Sequence, residues 1–367
     1  MSSFCYHPWA AVDISPQGDF KPCCKYVPKN KMGTTFDEYN KSIELYNLRS
    51  DFLEGKRPEG CARCWRDEDA GLPSKRELDW KYTYKEQVPD PKLGLRVLSL
   101  AFGNTCNLAC RVCSSYSSSR WIKEGKRIEQ YVPIKTFGHA TFYEDPAWFN
   151  DLLKRCNNLI HIDIPGGEPF LKEIKQHQQF LEWLLGNAKT LPSLHYTTNG
   201  TTQLSPAMEQ LLAEFPKVNI QLSIDGVGEK FEYQRWPAKW DMVYENIQYF
   251  KKLSHAANFE LSISHTVSIF NVLDVENFIQ WCEDEQLPAP YIGLVSSPAH
   301  YSISSLPEYM EKQMDVNFNI SNNTNMFDTF LKHVKLLDNN RKQSFPSTFP
   351  ELWALMSQQD KDYYINL

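Results

Sequence analysis

Residues Leu95 to Cys113 read LRVLSLAFGNTCNLACRVC. The first eight form a short β-rich run. A glycine turn follows, and then Cys106, Cys110 and Cys113 at C-x3-C-x2-C spacing. A ligand-bearing loop directly after a strand sits at the strand's carboxyl end, where α/β folds place their active sites. Three thiolates cannot complete the four-ligand shell of a structural zinc or of a closed iron–sulfur cluster. Either a fourth ligand comes from elsewhere or the vacancy is the purpose of the loop. The run Ser114–Ser119, SSYSSS, is expected to cap a helix continuing through Arg120 and Trp121, because serine is a strong N-cap residue.

Beyond Leu95 the same texture repeats. HIDIPG, SLHYTTN, VNIQLSID, FELSISHTVS and PYIGLVSSP are further short strands, separated by helical patterns such as PAMEQLLAEF, MVYENIQYFKKL and VENFIQWCEDE. Strands alternating with helices predict βαβ units, a parallel sheet and right-handed crossovers. Six such strands predict an α/β fold, a partial (β/α)6 TIM-like barrel short of the eight strands of a closed one. Buried parallel strands normally read as continuous apolar runs. Here polar residues alternate: His161 with Asp163; His195, Thr197 and Asn199; Gln221, Ser223 and Asp225; Ser262, Ser264, Thr266 and Ser268. Two arrangements fit that pattern, a barrel with a polar cavity or an antiparallel sheet with one wet face. The intervening helices favour the barrel.

The chain divides into residues 1–90, 91–300 and 301–367. The first part has few periodic segments, many turn residues and five cysteines: Cys5, Cys23, Cys24, Cys61 and Cys64. Only FDEYNKSIELYNLRSDFLEG reads there as one helix or two. A region so poor in core-forming strands usually needs a metal staple. Four of its cysteines suit a zinc site by count alone. Residues 126–150 look like an insertion before the second strand. The tail after about residue 300 is expected to be polar loop and two helices, near Met326–Leu337 and Phe349–Ser357. Cys156 and Cys282 lie in helix-like segments and are expected in the core.

The 367 residues are 42% hydrophobic, 23% charged and 13% aromatic, as in ordinary globular proteins. A net charge of −6 argues against a protein that coats nucleic-acid phosphate. The N-terminus has no basic and then apolar signal region, and no run approaches the ~20 apolar residues of a membrane span. A cytoplasmic protein with no membrane partner is expected, where ten cysteines are unlikely to be a disulfide framework.

The three-cysteine loop together with PGGEPF after the second strand resembles the radical S-adenosylmethionine (SAM) enzymes. In that resemblance Cys106, Cys110 and Cys113 hold a [4Fe–4S] cluster whose open iron takes the amino and carboxylate groups of SAM. Gly166, Gly167, Glu168 and Pro169 match the family's Gly-Gly-Glu-Pro loop at the ammonium end. TTNG (197–200), QLSIDG and YQRW then imply Asn199 and Ser223 near the ribose or methionyl part and Arg235 near the methionyl carboxylate. Asp225 is either a further SAM contact or a turn residue before Gly226. Cys5, the turn Gly18–Cys23, Gly33 and the pair Cys61–Cys64 resemble the auxiliary-cluster modules called SPASM or twitch. That implies a second [4Fe–4S] cluster held by Cys5, Cys23, Cys61 and Cys64, with Cys24 the alternative to Cys23. The family usually carries the module after the barrel; here it comes first.

The resemblance implies reductive SAM cleavage and hydrogen abstraction from a peptide or protein side chain, served by a flavodoxin- or ferredoxin-type electron donor. The same chemistry on a small molecule (a sugar, aminoglycoside or nucleotide precursor) is the alternative, and a metal-stapled binding protein without catalysis is a third reading. Asp163, His195 and Tyr196 are expected to face the cavity as catalytic candidates, with a core role open for each.

Overall fold

The structure, a computed structural model, describes residues 3–69, 71, 73–90, 92, 94–132, 134–171, 174–314 and 326–367. Eight strands form one sheet: β1 (Ala11–Ile14), β2 (Phe20–Lys21), β3 (Val97–Leu100), β4 (His161–Ile164), β5 (Ser193–Thr198), β6 (Val218–Ser223), β7 (Phe259–Val267) and β8 (Tyr291–Leu294). Their order is β2-β1-β3-β4-β5-β6-β7-β8. Every neighbouring pair is parallel except the β1–β2 hairpin. The edges β2 and β8 do not pair, so the sheet stays open, and the antiparallel arrangement is excluded for the six strands expected from the sequence. The crossovers carry helices Lys175–Asn187, Pro206–Ala213, Trp240–Leu253 and Val275–Asp284.

The sheet has two more strands than the sequence pattern predicts, and both come from residues 1–90. β1 joins β3 in parallel, Ala11 opposite Val97 through Ile14 opposite Leu100. A four-residue strand and a two-residue strand are too short to show any periodicity, so only their pairing reveals them. The helical reading of residues 36–55 resolves into two helices, Phe36–Lys41 and Ile43–Leu53. Each starts on a hydroxyl cap: Thr35 accepts from Glu38 N and Ser42 from Leu45 N.

The register lays one polar row across six strands: Asp13, Ser99, Asp163, His195, Asn219 and Glu260. Thr197, Gln221 and Ser262 form a second row, and Ser223 with Ser264 continues the same face. The opposite face carries Val12, Leu98, Ile162, Leu194 and Val218, all buried under the crossover helices. Each such side chain contributes about 1.5–3 kcal/mol on burial. The helices answer with matching stripes. Lys175–Asn187 buries His177, Phe180, Leu181 and Leu184, and Trp240–Leu253 buries Val243, Asn246, Ile247 and Phe250, both at i, i+3, i+4, i+7 spacing. Cys156 and Cys282 are buried in this outer layer, as expected.

The tail forms helices Phe327–Arg341 and Pro350–Leu355, close to the expected positions, with Gln358–Asn366 after them. Its core is a second cluster built on Phe270, Tyr301, Phe330, Phe345 and Phe349. Among the described residues no helix is long and apolar enough to cross a membrane.

Candidate active site

The cysteine loop leaves β3 at its carboxyl end and is tied down on three sides. Toward β4, Glu168 N donates to Thr105 O (2.8 Å) and Gly167 N to Ser117 O (3.2 Å). Toward β6, Ala109 N donates to Trp236 O (2.7 Å) and Arg111 N to Gln234 O (2.8 Å). From its own continuation, Trp121 Nε1 donates to Cys110 O (2.9 Å), and Ser118 Oγ donates to Leu108 O.

The serine run does this work and caps nothing. The helix Trp121–Ile128 begins on Arg120, which makes no side-chain cap bond. Ser118 and Ser119 point back at the cysteine loop instead, Ser119 Oγ accepting from Cys106 N (3.3 Å). The capping expectation is therefore wrong, because the loop's unpaired backbone groups lie closer to these hydroxyls than the helix terminus does.

The Gly-Gly-Glu-Pro loop needs both of its glycines. Gly166 and Gly167 adopt φ of +77° and +55°. A Cβ on Gly167 would meet Thr105 O at 2.4 Å, and one on Gly166 would meet Ala101 Cβ at 2.9 Å. Their absence of side chains is what lets this loop lie directly on the cysteine loop. Glu168 is fully buried, and its carboxylate accepts from Thr198 Oγ1 (2.7 Å), Asn199 N (2.7 Å) and Phe170 N (3.3 Å). It therefore splices the end of β4 to the end of β5. Burial pushes its pKa up to about 7, against the pull of those donors.

The three thiols of the loop lie within electrostatic reach of one another. Burial pushes Cys106 up to about 12, with Cys110 adding to the rise; it pushes Cys113 likewise, with Cys110 and Cys106 adding. Arg235 draws Cys110 and Cys113 the other way. Leu108 N donates to Cys106 Sγ (3.5 Å), and Asn199 Nδ2 lies 3.8 Å from the same sulfur. Asn199 also binds Asn107 Oδ1 (2.9 Å) and accepts from Thr201 Oγ1 (2.6 Å). Asn107 and Thr201 were not singled out from the sequence; their place inside the loop and after TTNG was the available signal. Arg235 pairs with Asp225 through Nε (2.9 Å) and Nη2 (2.7 Å), and Asp225 also accepts from Thr266 N (3.0 Å). Asp225 is thus the partner of Arg235 and ties β6 to β7, more than a turn residue. Ser223 lies on the polar face beside Ser264.

The N-terminal cysteines form a second group. Burial pushes Cys5, Cys23, Cys61 and Cys64 up, and repulsion from Cys61 and Cys64 on Cys5, from Cys24 and then Cys5 on Cys23, and from Cys23 and Cys64 on Cys61 adds to it. Backbone N–H groups of His7, Lys25 and Arg76 donate to Cys5, Cys23 and Cys64. Cys24 is exposed, and Lys75, Asp13, Lys25 and Asp163 act on it, as it acts on Cys23. Among the described residues no three His, Cys, Asp or Glu side chains stand close enough to share one metal ion. The donor set of both groups is thiols with N–H groups aimed at sulfur, the environment that suits an iron–sulfur cluster.

Of the three catalytic candidates, Asp163 and His195 stand side by side on the polar face. Asp163 is half-buried, and against that desolvation His161 (Nε2 to Oδ1, 3.2 Å), Lys75 and His195 hold its carboxyl well below the usual range. Burial lowers His195. Lys75 comes from the N-terminal region and is anchored by Asp79 (2.8 Å), which also binds His7 Nε2 (2.7 Å). Tyr196 does not face the cavity. Neighbours along a strand point to opposite faces, so it lies in the outer layer, with its hydroxyl 2.8 Å from His177 Nε2 and its ring on Phe170.

No family model matches the chain, and neither does any curated protein. Solved structures similar to it include anSMEcpe with bound AdoMet, at 18% identity and a TM-score of 0.41 over 68% of this chain and 62% of that one. Another is Streptococcus suis SuiB bound to S-adenosylmethionine, at 13% identity and a TM-score of 0.39 over 86% of this chain and 66% of that one. The chain thus spans less than two thirds of the length of those structures.

Proposed function

We propose that this chain is a radical SAM enzyme that acts on a peptide or protein side chain. The observation that carries the reading is the placement of the Cys106, Cys110 and Cys113 loop at the carboxyl end of β3, with a Gly-Gly-Glu-Pro loop pressed against its backbone. Cys106, Cys110 and Cys113 would hold a [4Fe–4S] cluster, which with SAM bound would supply one-electron chemistry for hydrogen abstraction from substrate.

The chain's residues bind, orient and exclude water. Gly166 to Pro169 bring backbone to the amino end of SAM. Asn199 and Ser223 line the ribose and methionyl part, and Arg235, aimed by Asp225, supplies the cation for the methionyl carboxylate. The polar rows of Asp163, His195, Thr197 and Gln221 receive the substrate. Cys5, Cys23, Cys61 and Cys64 hold an auxiliary [4Fe–4S] cluster, and a flavodoxin or ferredoxin delivers electrons. The decisive experiment is anaerobic reconstitution followed by a reductant. The expected result is about eight irons per chain and 5′-deoxyadenosine formation that disappears in Cys106→Ala. Cleavage retained in that variant would sink the reading.

A further inference from the structure

The tail helix Phe327–Arg341 ends against the cysteine loop. Its last residue, Arg341, is 8% exposed, and its guanidinium carbon lies 4.9 Å from the ring centroid of Trp121 and 4.8 Å from that of Trp236. Both distances are within the reach of a cation–π attraction. Glu124, one turn after Trp121 on the helix Trp121–Ile128, fixes the guanidinium: Nε donates to Oε1 (3.1 Å) and Nη2 to Oε2 (2.6 Å).

The two tryptophans are also the two that hold the loop's backbone. Trp121 Nε1 donates to Cys110 O (2.9 Å), and Trp236 O accepts from Ala109 N (2.7 Å). Leu337, one turn earlier on the tail helix, is buried in one apolar cluster with Ala109 and Trp121, and Cys113 and Trp236 pack against that cluster. A guanidinium stays protonated at any working pH, so Arg341 is a fixed positive charge in surroundings that screen it weakly. Its field reaches the loop's sulfur: burial raises the Cys110 thiol, and Arg235 and then Arg341 draw it the other way, against Asp225. Arg120 meets Trp236 as well, at 5.4 Å, but it is exposed and water screens its charge.

We propose that Arg341 is a positioning residue for the open cluster: it seats Ala109 and Cys110 through Trp121 and Trp236, and it sets a second cation, after Arg235, beside Cys110. The proposal rests on the radical SAM reading of the Cys106, Cys110 and Cys113 loop. A reduced cluster carries one more negative charge than an oxidised one, so a buried cation beside its ligand favours the reduced form. The C-terminal segment thereby becomes part of the active site, although no cysteine and no Gly-Gly-Glu-Pro residue comes from it.

The test is an anaerobic redox titration of the reconstituted full chain, read by electron paramagnetic resonance and not by activity. Added SAM marks the open cluster, whose signal responds to it. At a fixed potential, Arg341→Met is expected to lower the reduced-to-oxidised ratio of that component about tenfold, a shift of about 59 mV for one electron. The auxiliary component should keep its ratio. Arg341→Lys is expected to restore most of the loss, and Glu124→Gln, which leaves the Arg341 charge uncompensated, to move the ratio upward. A merely structural role does not produce opposite signs in the two partners. An unchanged ratio in Arg341→Met, an equal fall in Arg341→Lys, or the same shift in both clusters overturns the proposal. If Arg341→Met does not fold, Glu124→Gln decides, and an unchanged or lowered ratio there refutes it. A chain with no SAM-responsive cluster fails the radical SAM reading and the proposal with it, whereas a SAM-responsive cluster indifferent to Arg341 removes the proposal alone.

Discussion

The two cysteine groups solve one problem in opposite ways. Cys106, Cys110 and Cys113 lie within eight residues, and the loop's rigidity is borrowed from elsewhere: the β4 and β6 loops, the serine run and the distant tail. Cys5, Cys23, Cys61 and Cys64 are spread over sixty residues, and Cys5, Cys23 and Cys64 take backbone donors from their own segment or the next. Each group also has a paired cation. Arg235 is held by buried Asp225, whereas Arg76 is held by a partly exposed Glu68 at 2.8 Å. The compact motif is braced by the chain around it, and the dispersed set by its own segments.

That contrast breaks most sharply at the cysteines. Cys106→Ala is expected to abolish SAM cleavage, whereas the Cys61→Ala, Cys64→Ala double variant is expected to keep it and lose about half of the iron. Iron analysis and 5′-deoxyadenosine yield read both, and zinc in place of the lost iron would refute the auxiliary cluster.

The borrowed rigidity comes next. Arg111, inside the motif, is fully buried and pairs with Asp338, 227 residues away, which also accepts from Tyr233 Oη, Tyr364 Oη and Phe345 N. Arg111→Met leaves that carboxylate uncompensated and is expected to cost about 3–5 kcal/mol in urea unfolding. Arg76→Met, in the other group, should cost markedly less because its partner is partly hydrated.

Glu168 gives a pH signature to the loop that joins the two strands. Its folded pKa of about 7 lies above the unfolded 4.5. The stability it contributes is therefore fully present below the unfolded value and is lost as pH rises to 7. Glu168→Gln is expected to remove a slope on the order of 3 kcal/mol between pH 5 and pH 8. An unchanged slope in the variant would reject the assignment. The smallest effect separates the two faces of β5. Tyr196→Phe should cost about 1 kcal/mol through the lost His177 bond and leave SAM cleavage unchanged.

Much of this was legible in the chain. The six strands from Leu95 onward, the helices between them, the two tail helices and the burial of Cys156 and Cys282 all follow from local periodicity. The face of Tyr196 was legible as well, since His195 beside it claims the opposite side, and strand alternation alone excludes both from one cavity. β1 and β2 were not, because four and two residues carry no period. The serine run misled for a related reason: a hydroxyl caps whichever unpaired backbone group lies nearest, and nearness is not written in spacing.

By itself the sequence determined the six strands from Leu95 onward, the helices between them and the cysteine and glycine motifs at their ends, because cysteine spacing, paired glycines and apolar period are all local properties. Only the tertiary structure decided what surrounds each of them. It buried Glu168 under β5, gave Arg235 to Asp225 and carried Asp338 to Arg111. Parallel strands and their crossovers bring together residues tens to hundreds of positions apart, and no local pattern records which partner such a group meets.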